Sequence, residues 1–189
     1  MNSKEMTMLV RELMTNEVIC CTPWDTARAA ASLMKEHEVG AIPVVSELSD
    51  PLLEGIVTDR DLCCVVVADA KNADAIQLSE LMTPVPVTCE PDYTIEECEE
   101  LMQENQVRRI PVVDKRGRCV GMVAQADLAL HAPAAQVAKT MKEISKPSKP
   151  RQNIHFEKDY FYNGLLHEED EILLLNRRRE LHREVEVVR

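Results

Sequence analysis

Aromatic side chains are nearly missing: two Phe, three Tyr and one Trp make up 3% of the 189 residues. A core without rings has to be assembled from Val, Leu, Ile, Met and Ala, and a hydrophobic content of 45% suffices for one. Glycine is scarce as well. The five glycines make no G-x-x-x-x-G-K-[ST] arrangement, which excludes a P-loop and leaves nucleotide hydrolysis unexpected. No apolar run approaches the roughly 20 residues that cross a bilayer. The opening stretch MNSKEMTMLVREL carries charges inside any apolar candidate, so neither a span nor a leader is expected. Positive charge is in deficit, with 22 Lys and Arg against 33 Asp and Glu, a net −11. Such a chain repels phosphodiester backbones, which argues against a nucleic-acid partner, and without a span no membrane partner is expected. Cysteine is present seven times but without C-x-x-C or other metal-type spacing. Thiols in stretches such as LCCVVV read as small buried hydrophobes in a reducing cytoplasm, with no metal site implied.

What is present is a repeat. Displaced by 68 positions, residues 10–45 lie over 78–113 with 15 of 36 positions identical. The identities include Leu-Met-Thr (13–15 and 81–83), Pro23 and Pro91, Thr26 and Thr94, and Ile-Pro-Val-Val (42–45 and 110–113). Two residues are then lost, and GIVTDRDL (55–62) lies over GMVAQADL (121–128). The loss falls between 46–54 and 114–120, where a surface turn tolerates it.

Each copy parses alike. A short extended stretch, NEVICCT or PVPVTCE, leads to Thr26 or Thr94, whose hydroxyl suits a helix start. Ala27, Ala30, Leu33 and Met34 in one copy, and Ile95, Cys98, Leu101 and Met102 in the other, fall at helical period. Ile-Pro-Val-Val reads as a buried strand, followed by a second strand and a second helix. The order is βαββα twice, an α/β (α+β) architecture. One unit of about 55 residues buries too little surface to be comfortable alone, so the two must pack together.

The unit L-M-T … T-P … T … L-M … V-x-x-I-P-V-V … G-[IM]-V-[TA]-x-x-D-L resembles the cystathionine β-synthase (CBS) domain, here as a tandem pair. The resemblance covers about residues 9–132, with unit boundaries at 9–68 and 77–132 and an extension over 133–189. It implies two units packed as a pseudo-twofold pair, forming homodimers. It also implies a non-catalytic regulatory module that binds an adenine nucleotide or another adenosyl ligand in clefts between the repeats. AMP, ADP or ATP is the expected ligand, and no other cofactor is required.

The chemistry is expected where GIVT meets DRD. Thr58 can offer its hydroxyl to a phosphate or ribose oxygen, Arg60 a charged donor, and Asp61 an acceptor for two ribose hydroxyls. Thr58 and Asp61 equally have the [ST]-x-x-[DE] spacing of a capping box, which needs no ligand. By resemblance the base lies against Val39, Gly40, Ala41, Ile42 and Pro43, with Val18 and Thr22 flanking the same cleft. In the second copy Asp127 keeps the carboxylate, but Ala124 and Ala126 replace the hydroxyl and the guanidinium. Arg108 and Arg109, just before Ile110, are expected to face the central cleft and compensate there. The second site is thus expected to be weak or vacant. No catalytic constellation emerges, since His37 and His131 lack identifiable partners.

Beyond Ala132, residues 133–145 suit one more helix with Val137, Met141 and Ile144 on one face. Residues 146–153 form a charged, Pro-rich linker. A helix over 165–184 is consistent with acids at its start and Arg177–Arg179 towards its end. This tail suggests an alternative, a ligand-free assembly protein acting through its C-terminal extension. A thiol or zinc enzyme is a third and weaker reading.

Overall fold

The first repeat runs α1 (Ala27–Glu36), β1 (Ala41–Val45), β2 (Leu53–Thr58) and α2 (Asp59–Asp61), which continues as a π-helix over Leu62–Val67. The second repeat follows β3 (Thr83–Pro84) and runs α3 (Ile95–Asn105), β4 (Arg109–Val113), β5 (Cys119–Ala124) and α4 (Gln125–His131). The last helix is α5 (Ala134–Ile144). These elements come from a computed structural model that describes residues 8–146. The expected helix over 165–184 and all but the first residue of the 146–153 linker lie outside the described residues.

Threonines set the helix starts. Thr26 Oγ1 accepts from Ala29 N–H at 3.2 Å, beginning α1. Thr94 makes a full capping box: its Oγ1 accepts from Glu97 N–H at 3.1 Å, and Glu97 Oε2 accepts from Thr94 N–H at 2.8 Å. Both helices then leave through a non-glycine residue at positive φ, Glu38 in one copy and Gln106 in the other. The repeat therefore preserves even an unfavourable turn.

Each Ile-Pro-Val-Val strand pairs antiparallel with the strand that follows it. Ala41 lies opposite Thr58 in the first copy and Arg109 opposite Ala124 in the second, with a bulge at the same place in both. The leading strand of each unit is shorter than the sequence suggests. It contributes one parallel bridge, Cys21 to Val44 or Cys89 to Val112. In the first copy the Thr22 N–H is diverted to Asp25 Oδ2 at 2.6 Å, which stops the ladder. In the second, Pro86 and Pro91 have no N–H to extend it.

The two repeats exchange segments. Residues ahead of α1 dock on the second repeat: Val10 N–H donates to Tyr93 O at 2.8 Å, Thr15 bridges Met122, and Arg11 pairs with Asp92. Val10 and Leu13 belong to the second repeat's core with Met102, Ile110 and Val123. Residues ahead of α3 do the converse. Leu78, Leu81 and Met82 join the first core with Ala30, Ile42 and Val57, and β3 pairs with β2. Between the cores, Val45 and Leu53 of one copy meet Cys119 and Val113 of the other. Leu53 N–H donates to Gly117 O at 3.0 Å and Cys119 N–H to Pro51 O at 2.8 Å, tying the strand ends across this seam.

The α5 helix covers the second repeat. Ile144 enters its core, and Thr140 is buried where Gln103 Nε2 donates to its hydroxyl at 2.9 Å. Glu99 is buried beneath it, accepts from Gln136 Nε2 at 2.6 Å, and has its carboxyl pushed above the usual range by desolvation. The expected face is present, although Thr140 lies deeper than Val137 and Met141.

The exchange explains two glycines. A Cβ on Gly55 would stand 2.6 Å from Met82 Sδ and 3.0 Å from Thr83 O; on Gly121 it would stand 2.6 Å from Met14 Sδ and 3.1 Å from Thr15 O. The methionine of each Leu-Met-Thr thus lies on the bare backbone of the opposite repeat. Gly55→Val or Gly121→Val is expected to lower stability in urea unfolding by about 1–3 kcal/mol, the range for overpacking. An unchanged midpoint would contradict this packing.

Candidate functional site

In the first repeat β2 ends and α2 begins at Thr58, which is extended at φ −120° and ψ 161°. Its hydroxyl accepts from Asp61 N–H at 3.3 Å and donates to Asp61 Oδ2 at 2.6 Å. The Thr58 N–H donates to the same oxygen at 2.9 Å. The capping box is therefore formed, and a ligand at this point would share groups that already hold the helix start. Asp61 Oδ1 supplies further lone pairs that an incoming hydroxyl can use. Arg60 is exposed on the next turn, with its backbone N–H donating to Asp59 Oδ1 at 2.7 Å.

Beside this junction lies the entry to β1. Asp59 N–H donates to Gly40 O at 3.2 Å, and Ala41 is the ladder partner of Thr58. Of the stretch expected to receive a base, Ile42 is wholly buried in the first core and the Pro43 carbonyl accepts from Cys21 N–H at 3.1 Å. Val39, 39% exposed, and the backbone of Gly40 are the accessible part. Val18 and Thr22 flank β1 on the edge away from β2, because Cys21 pairs there with Val44. The Thr22 hydroxyl donates to Asp25 Oδ2 at 2.9 Å, and the Val18 carbonyl receives the Cys20 thiol at 3.6 Å.

The second motif repeats the backbone without the side chains. Ala124 N–H donates to Asp127 Oδ2 at 2.7 Å and Gln125 N–H to Arg108 O at 2.9 Å, matching the bonds at Thr58 and Gly40. Ala124 has no hydroxyl to complete the box. Arg108 is exposed and replaces the bare Gly40 position. Arg109 pairs by backbone with Ala124, yet its side chain reaches the first repeat: Nη2 lies 3.0 Å from where a Gly40 Cβ would stand. Asp59 Oδ2 lies 2.9 Å from the same point. Asp59 is absent from the residues singled out by sequence, because its neighbour Arg109 comes from a strand 50 positions away.

The thiols differ in their surroundings, and the hydrogen bond with Cys20 holds that of Cys119 below its usual range. Cys21 is pushed up to about 12 by burial and by Asp25, and Cys89 is raised further by Cys98 and burial. Cys20 is held protonated by its hydrogen bond with Cys119 and by burial. Cys63 and Cys64 are exposed. Among the described residues no group of three or more His, Cys, Asp or Glu is placed to hold a metal ion, and no helix is long and apolar enough to cross a membrane.

Known proteins share this arrangement. The CBS domain family matches residues 10–68 and again 78–133. CBS domain-containing protein YhcV of Bacillus subtilis is 37% identical over 147 residues, covering 77% of this chain and 98% of that protein. Hypoxic response protein 1 of Mycobacterium tuberculosis is 34% identical over 137 residues, covering 72% and 94%. Its crystal structure, which holds two coordinated zinc ions, superposes with a TM-score of 0.59 over 67% of this chain and all of that one. The described residues here offer no such metal set. CBSX2 in complex with AMP shares the fold at 24% identity and a TM-score of 0.55, over 71% of this chain and 98% of that one.

The asymmetry of the two caps is measurable. Ala124→Thr is expected to complete the second box and raise stability by about 1 kcal/mol, while Thr58→Ala removes the first and lowers it similarly. Equal unfolding midpoints for both variants and wild type would show that the hydroxyl does not matter.

Proposed function

The chain belongs to the CBS domain family, and we propose that it is a non-catalytic, cytoplasmic regulatory module whose first repeat binds an adenine nucleotide and signals to a partner. The observation that carries this reading is the Thr58–Asp61 pair beside the part-exposed Gly40 backbone, which the second repeat reproduces only as a carboxylate. Asp61 would accept from the ribose hydroxyls, Thr58 would turn its hydroxyl to a phosphate or ribose oxygen, and Val39 and Gly40 would lie against the base. Arg60 adds a charged donor at the rim, whereas Thr22 is engaged with Asp25 and contributes less. The second cleft, built on Asp127 and Arg108, lacks the hydroxyl and stays weak.

A homodimer accords with the outer helices. Val67 on the π-helix is 73% exposed and Leu130 on α4 is 80% exposed, and Leu130 corresponds by the repeat to the exposed Cys64. A second copy of the chain is the natural cover for such a pair of helices. Leu130→Asp is expected to shift sedimentation equilibrium from dimer to monomer; a monomeric wild type would refute the dimer.

Binding is tested by calorimetry with AMP, ADP and ATP on wild type and Asp61→Ala, with ligand-free melting curves to check folding. Wild type is expected to bind at least one nucleotide, and Asp61→Ala to lose about tenfold or more in affinity. Equal affinity in both proteins would remove the assignment. No heat with any nucleotide would leave the assembly reading, through residues 146–189, in its place.

A further inference from the structure

We propose that Cys20 and Cys119 are a modification site, closing a reversible disulfide that joins the two repeats at their seam. Cys20 sits where the leading segment, having bridged Met122 at Thr15, turns back to pair Cys21 with Val44 of β1. Cys119 opens β5 of the other repeat. The two meet against Val45 and Leu53, and their thiols share a hydrogen bond. The backbone beside each is fixed: Cys21 N–H donates to Pro43 O at 3.1 Å, and Cys119 N–H to Pro51 O at 2.8 Å. The fold therefore holds the sulfurs near each other, so a small adjustment separates thiol contact from an S–S bond of about 2 Å.

The pair differs from the other cysteines in place and access. Cys89 and Cys98 also share a hydrogen bond, but both belong to the second core, at 2% and 0% exposure, and a bond between them would join nothing new. Cys63 and Cys64 are exposed neighbours on the outer π-helix. Cys20 is half-buried and gives a small oxidant a way into a seam where Cys119 is 8% exposed. Thr88 and Leu53 stand at the positions that the repeat relates to Cys20 and Cys119, so the twofold-related place lacks both thiols.

The shared hydrogen bond divides the roles. It holds the Cys119 thiol below its usual range and pushes Cys20 up, which makes Cys119 the readier thiolate and Cys20 the resolving thiol. With hydrogen peroxide as oxidant, the Cys119 thiolate attacks one oxygen and the O–O bond breaks. The leaving hydroxide takes up the proton that Cys119 gave up, as water. The Cys20 sulfur then displaces the sulfenic oxygen, which leaves with the Cys20 proton as a second water, and the S–S bond forms. Two thiols have lost two electrons to one peroxide, and a small dithiol returns them by exchange. The bond adds a covalent tie where packing and hydrogen bonds hold the repeats, and it restricts the unfolded chain over a long loop.

The test treats the reduced full chain with a small excess of hydrogen peroxide and maps its cysteines by mass spectrometry under non-reducing conditions. Wild type is expected to yield a peptide pair linked through Cys20 and Cys119, two hydrogens lighter than its parts. It is also expected to melt about 5 °C or more higher, with both changes reversed by dithiothreitol. Cys20→Ser is expected to melt like reduced wild type before oxidation and to show neither change afterwards. The double variant Cys63→Ser/Cys64→Ser is expected to show both. The wild-type map decides without any variant: Cys20 and Cys119 left unlinked, whether as free thiols, as sulfenic or sulfinic acids, or bonded to other cysteines, would overturn the proposal.

Discussion

Each repeat is completed by a segment that precedes the other. Met14 lies against Gly121 and Met82 against Gly55, and the leucines of the same Leu-Met-Thr triplets enter the opposite cores. Remove either segment and a largely aliphatic core loses Val10 and Leu13 or Leu78 and Leu81. Cavities lined by such residues are costly, typically about 2–5 kcal/mol for each large side chain removed. The pair is therefore the folding unit. The strand ends, the seam between Val45, Leu53 and Cys119, and the position of each helix start follow from that crossing.

On this symmetric backbone the side chains diverge. The hydrogen bonds from residue 59 to 40 and from residue 125 to 108 are equivalent, as are those that the Thr58 and Ala124 N–H groups donate to Asp61 and Asp127. What differs is a hydroxyl at 58 against a methyl at 124, and a hydrogen at 40 against an arginine side chain at 108. None of these changes alters the register of β1 with β2 or of β4 with β5. The scaffold tolerates them because stability comes from the exchanged segments and the two cores, while the strand-to-helix junctions are part-exposed. Side chains at these junctions can thus differ between the copies without a change of register.

The order of elements was legible in the sequence because identities at 12–15, 23, 26, 33–34 and 42–45 recur with helical and strand periods intact. The capping threonines were legible for the same reason, since spacing along one helix start is a local property. The shortened first strands were not, because the loss of ladder bonds depends on Asp25 turning back to Thr22. Nor was the exchange: Leu-Met-Thr looks like the start of its own unit, and only the positions of Tyr93 and Met122 show where it docks. Asp59 and the reach of Arg109 were hidden by separation along the chain. Ile42 is also a core residue and the Pro43 carbonyl also a sheet acceptor, roles that the motif alone does not separate from ligand binding.

Sharing of cores also determines what a ligand could do here. A small molecule confined to one independent domain would stabilise that domain alone, by an amount set by its concentration and affinity. In this chain neither core is complete without the other repeat's leading segment, so any stabilisation of the Thr58 junction is transmitted to the pair as a unit. The α5 helix packs on α3 and α4 of the second repeat through Ile144, Thr140 and the buried Glu99, and the chain continues from it towards residues 147–189. A ligand in the first cleft that also engages the second repeat would therefore act on the body that carries α5.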